Sequence, residues 1–86
     1  MRTDINVGML IEGCNLHIGH VTEVDPQEDY VHFKSVFDGQ TYNCSLNSCG
    51  VYELTTEEAQ VRVRLYQQGG MEALSNFYFA GEDHVY

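Results

Sequence analysis

The stretch "VFDGQTY", Val36 to Tyr42, limits the fold more than any other part of the chain. Asp-Gly between alternating apolar residues is a tight-hairpin signature, because a type I′ turn needs positive φ at both central positions. A two-residue turn at Asp38-Gly39 pairs Phe37 with Gln40, which sets Ser35 opposite Tyr42, Phe33 opposite Cys44 and Val31 opposite Leu46. Opposite residues share a face. One face then carries Val31, Phe33, Phe37, Tyr42, Cys44 and Leu46, with Ser35 and Gln40 as its polar members. The other carries Tyr30, His32, Lys34, Val36, Thr41, Asn43, Ser45 and Asn47. That sorting is what a half-buried antiparallel sheet requires.

The run "LHIGHVTEV", Leu16 to Val24, extends the sheet, and "DPQED" with Pro26 supplies the turn. Pairing Val24 with Val31 places Thr22 opposite Phe33, His20 opposite Ser35 and Ile18 opposite Phe37. Leu16, Ile18 and Val24 thereby join the apolar face, with His20 and Thr22 among them, while His17, Gly19, Val21 and Glu23 point the other way. A three-strand meander with one buried side is expected. "VGMLIEG", before the turn "EGCN", and "VYEL", after the turn "NSCG", each add a short strand. The order "GHVTEVDPQEDYVHFKS" followed by a glycine hairpin resembles the rhythm of Tudor and KOW modules. Neither the aromatic cage of the first nor the basic residues of the second can be placed residue by residue, so no family is assigned.

In "LTTEEAQVRVRLYQQGG", Thr55 and Glu58 have capping-box spacing, acids fill the first turn, and Gly69-Gly70 is a stop signal. "VRVRLY" alternates with period two, so a further strand is the rival reading; the cap favours helix. "MEALSNFYF" reads as a second short helix, with Met71, Leu74, Phe77 and Tyr78 placed to pack on the sheet. The expected class is α+β: a small antiparallel sheet, SH3-like and about five-stranded, or a half-barrel, followed by one or two C-terminal helices. One domain spans residues 1–86, with a β-meander or barrel over 5–54, a helical segment over 55–79 and a frayed tail over 80–86.

Charge narrows the function. Thirteen Asp and Glu against four Lys and Arg give a formal charge of −9. Such a surface repels nucleic acid and anionic lipid and speeds encounter with basic surfaces, although solubility alone is also served by it. The start "MRTDINVGMLIEG" has one Arg and a short apolar run broken by Gly8 and Glu12, and no stretch nears the roughly 20 apolar residues of a membrane span. Three cysteines, Cys14, Cys44 and Cys49, fit a reducing compartment, so a cytoplasmic location is expected.

Cys14, His17, His20, Cys44 and Cys49 are the zinc-like residue types. The register puts Cys44 in the core and His17 across the sheet from it, so no metal is expected. Cys14 precedes His17 by three residues, but acidic surroundings do not lower a thiol pKa. His20 is expected to face the core, bonded to Ser35 or to a carbonyl. Glu57-Glu58 and Asp25, Glu28 and Asp29 mark a helix start and a turn, and Gly69-Gly70 lacks the Lys of a phosphate loop. No catalytic residue and no cofactor is expected, and the chain does not read as an enzyme.

Two acidic patches beside tyrosines are candidate partner-binding surfaces: Glu23, Asp25, Glu28 and Asp29 next to Tyr30, and Glu53, Glu57 and Glu58 next to Tyr52. Carboxylates along an edge imitate phosphates, and Tyr is a common interface anchor. The leading expectation is a non-enzymatic inhibitor or modulator that docks on the basic, nucleic-acid-binding surface of a partner protein. By analogy, such small acidic proteins are encoded by phages and mobile elements as anti-defence factors. The alternatives are an anionic-ligand or nucleotide module using Tyr30, His32, Lys34, Arg62 and Arg64, and a homo-oligomeric assembly protein with "NFYF" between subunits. Neither direct nucleic-acid binding nor membrane association is expected.

Overall fold

A computed structural model describes residues 3–13, 15–48 and 50–83, with side chains as far as residue 77. Five strands, β1 (Leu10–Glu12), β2 (Ile18–Asp25), β3 (Tyr30–Ser35), β4 (Thr41–Ser45) and β5 (Tyr52–Glu53), precede the helix α1 (Thr56–Asp83). The sheet is antiparallel and open, in the order β4-β3-β2-β1-β5. The domain is thus a small α+β unit.

The β3–β4 hairpin keeps the expected faces within its two strands but shifts the pairing by two residues. Phe37, expected beside Val31 and Phe33, lies past the end of β3 and packs in a different cluster, with Ile18. Phe33 lies opposite Tyr42 and Val31 opposite Cys44. Asp38 and Gly39 are therefore not a two-residue turn. They belong to a longer loop in which Ser35 N–H donates to Gln40 O (2.8 Å) and Gly39 N–H to Ser35 O (3.0 Å), with Gly39 at φ 75. A shift of two preserves every face, because side chains alternate with period two.

Strand β2 departs further. Val24 pairs with Val31 as expected, but a β-bulge between Val21 and Glu23 moves the register by one, so Val21 faces Phe33 and Gly19 faces Ser35. The extra residue is Thr22, whose hydroxyl donates to His32 O at 3.3 Å. Inserting one residue exchanges the two faces upstream of it. Val21 is consequently buried, Thr22 and His20 are exposed, and Ile18 faces the opposite side from Val24.

Both sides of the sheet are therefore covered, not one. The inner cluster joins Ile5, Ile11, Val21, Val31, Phe33, Cys44, Leu46 and Val51. The outer cluster joins Ile18, Leu54 and Ala59, with Leu10, Phe37, Tyr52 and Val63 packed on it. Phe33, Ile11, Leu46 and Val31 have no exposed surface, and each such side chain contributes roughly 1.5–3 kcal/mol by leaving water.

Residues "VRVRLY" are helical. Thr55 and Glu58 form the reciprocal cap: Glu58 N–H donates to Thr55 Oγ1 (3.1 Å), and Thr55 N–H donates to Glu58 Oε1 (2.9 Å). Gly70, at φ 67 and ψ −155, breaks the helix without ending it. Helical backbone resumes after it and reaches Asp83. Leu74 is fully buried, whereas Phe77 is 47% exposed.

Candidate functional site

The turn between β2 and β3 holds the first acidic patch, and its carboxylates are fixed by their own chain. Asp25 Oδ1 accepts the N–H groups of Gln27 (3.0 Å) and Glu28 (3.2 Å). Asp29, in the left-handed region at φ 57, accepts the Ser45 hydroxyl (2.6 Å), Asn47 N–H (3.0 Å) and Asn47 Nδ2 (2.7 Å). Those bonds, the Ser45 hydroxyl first, hold the Asp29 carboxyl below its usual range. The Tyr30 hydroxyl donates to Glu23, and chiefly for that reason its pKa is pushed up to about 12. The Tyr30 ring also packs on His32 with centroids 4.7 Å apart. Glu28 remains exposed.

Beside this turn runs a shallow groove of about 360 Å³, lined by Thr3, Ile5, Asn6, Val7, Val24 and Pro26. Val7 is 66% exposed. Val24, at the end of β2, and Pro26, in the turn after it, alternate with acids in the order Glu23, Val24, Asp25, Pro26. The sequence carried no signal for Val7, which read as part of a strand and instead occupies a turn closed by Met9 N–H donating to Asn6 O (3.1 Å).

The second acidic patch lies elsewhere. Glu53 pairs with Ile11 and Ile11 with Gly19, so it sits a run of Gly19 to Asp25 away along β2, roughly 20 Å at 3.3 Å per residue. Glu53 and Glu57 are exposed. Glu58 is occupied by the helix cap, and the bonds to Thr55 hold its carboxyl below its usual range. Tyr52 is drawn inward, accepting a bond from Arg62 Nη2 at 3.1 Å. Burial, then the Glu12 carboxylate, raise the Tyr52 pKa. The two patches do not form one surface.

The residues considered for an anionic ligand do not converge either. Tyr30, His32 and Lys34 follow one another along the outer side of β3. Arg62 is buried: its Nε donates to Glu12 Oε1 at 3.0 Å and its Nη1 to Glu58 O at 3.1 Å. Burial alone pulls the Arg62 pKa down, but Glu12 outweighs it and the net shift is upward. Arg64 is exposed on the helix.

The histidines exchange the roles expected of them. His17, not His20, meets Ser35, with Nδ1 and Oγ 2.9 Å apart. Its ring stacks on Tyr42 (centroids 4.3 Å) and leans on Phe37 (5.8 Å), which stacks on Tyr66 (4.3 Å). These rings pack on one another. Asp38 accepts from the Tyr42 hydroxyl, which with the Gln40 N–H holds its carboxyl low. Cys44 is buried in the core, while Cys14 and Cys49 lie outside the described residues. Among the described residues no group of three or more His, Cys, Asp or Glu is arranged to hold a metal, and no helix is long and apolar enough to cross a membrane. Comparison with protein-family models, with curated proteins and with solved structures gave no significant match.

Proposed function

We propose that the protein is a non-enzymatic docking module that sets the β2–β3 end of its sheet against a basic surface of a partner protein, as an inhibitor or modulator. One observation carries the reading: an exposed groove lined by Val7, Ile5, Val24 and Pro26 lies beside carboxylates that are already held in place. Interfaces favour an apolar centre inside a charged rim, and groups fixed before contact lose little freedom on binding. With a net charge of −9, complementary partners are basic, and proteins that bind nucleic acid have such surfaces. We further infer an SH3-like half-barrel, supported by the strand order and by the bulge that bends β2 between the two clusters.

Affinity purification of the tagged protein at low and high salt, with mass spectrometry of what co-elutes, tests the function. A basic protein retained at low salt and released at high salt is the expected result. Retention of neutral or acidic proteins only, or turnover of a substrate by the purified chain, would overturn it.

A further inference from the structure

A second groove, of about 500 Å³, lies on the side of the sheet that carries α1. Its floor is aliphatic, made by Leu10, Ala59 and Val63; its walls are Thr56, Gln60, Gln67 and Arg64. That volume falls in the range of small-ligand sites.

The charges around it are the unusual part. In a chain with thirteen acids, Arg64 has only neutral neighbours one turn away on its helix: Gln60, Val61, Gln67 and Gln68. Lys34 lies between His20 and Thr41, its direct cross-strand partners, also without a carboxylate. Among the described residues neither cation forms an ion pair, whereas Arg62, two positions from Arg64, is bonded to Glu12. Leu10, on the groove floor, pairs with His20, and His20 with Lys34. At about 5 Å per strand, Lys34 stands roughly 10 Å from Leu10 along that row. Among the described residues, positive charge therefore borders this groove without an ion-pair partner.

We infer that the groove binds an amphipathic monoanion, with its aliphatic body on Leu10, Ala59 and Val63 and its carboxylate or phosphate-ester head on Arg64. A guanidinium fork matches such heads in two-point contact. No aromatic ring lines the floor, so a nucleobase finds no stacking partner there. One guanidinium suits one anionic head. Lys34 extends the favourable approach across an otherwise repelling surface. The site is on the opposite side of the sheet from Val24 and does not depend on the docking proposal.

Titration with decanoate, followed by methyl NMR of Leu10, Ala59 and Val63, tests the inference, with decanol and inorganic phosphate as separate probes. Decanoate is expected to shift those methyls saturably and to bind at least tenfold more tightly than decanol. Arg64→Gln, with an unchanged circular dichroism spectrum, should weaken decanoate at least fivefold and leave decanol unaffected. Arg64→Lys should restore part of the loss. Equal binding of decanoate and decanol, phosphate binding as tight as decanoate, or an Arg64→Gln variant within twofold of the parent would each overturn it.

Discussion

Arg62 Nε lies 3.0 Å from Glu12 Oε1, and the two side chains are only 8% and 6% exposed. The pair ties the first turns of α1 to β1, and Tyr52, opposite Glu12 in the β1–β5 pairing, completes it through Arg62 Nη2. Removing one partner of a buried pair leaves the other charge without compensation, at a cost of about 3–5 kcal/mol. Arg62→Leu and Glu12→Leu should each lower the unfolding free energy by about that amount. Glu12→Leu/Arg62→Leu together should cost less than the larger single loss, since neither charge is then stranded. Urea titration of the four proteins measures the cycle. Additive losses would show that the two groups do not act as a pair.

Gly19 of β2 lies hard against the backbone of β3. A Cβ there would come within 2.0 Å of Lys34 O and 2.5 Å of Lys34 C, both backbone atoms that cannot swing aside. Gly19→Ala should therefore destabilise by about 3 kcal/mol, at the upper end for overpacking. Gly39→Ala is the informative contrast. Gly39 has φ +75 and open space around it, so only the left-handed backbone penalty of about 1–2 kcal/mol applies. Equal unfolding midpoints for the two variants would refute the steric account.

The parts of the fold that depend on alternation were legible in the sequence. Val31, Phe33, Cys44 and Leu46 are buried together because period-two patterning survives a two-residue change of loop. Thr55 and Glu58 were legible for a similar reason, since their cap is a local geometry. Thr22 was not. A bulge depends on how β2 is drawn between two clusters, and nothing in "GHVTEV" marks which residue is extruded; from that one residue follow the reversed roles of His17 and His20 and the second buried face. Glu12 and Arg62 are fifty positions apart in a chain full of carboxylates, so their pairing has no local signal. Asp29 and Glu28 were legible as turn acids, but that Val7 would lie open in a groove shared with Val24 and Pro26 was not.

Asp29 links acidity to stability. Its carboxyl is held below 3.8 in the folded chain by Ser45 and Asn47. A lowered folded pKa contributes stability that is present above the unfolded value and lost as pH falls through the folded one. Asp29→Asn keeps an acceptor and tolerates the left-handed backbone, so it isolates the charge. The variant should melt below the parent near pH 7, and the gap should close as pH drops from about 4 towards 2. Calorimetry across that range measures it. A constant gap would mean that the loss arises from geometry and not from protonation.

Val7→Asp separates the two components of the proposed docking surface. It adds a negative charge, which strengthens steering towards a basic partner, and it removes the exposed apolar group beside the pinned acids. If charge alone drives binding, the variant binds as well as the parent or better. If the groove receives an apolar side chain, affinity falls by about tenfold or more, the scale of an interface anchor at over 1 kcal/mol. Glu23→Gln with Glu28→Gln should act differently, slowing association and flattening the salt dependence while leaving dissociation nearly unchanged, as rim charges do. Val7, Glu23 and Glu28 are all exposed, so neither variant disturbs the core. Surface plasmon resonance with the basic protein captured at low salt distinguishes the two behaviours. Unchanged affinity for Val7→Asp together with an unchanged association rate for the double variant would place the interface elsewhere on the molecule.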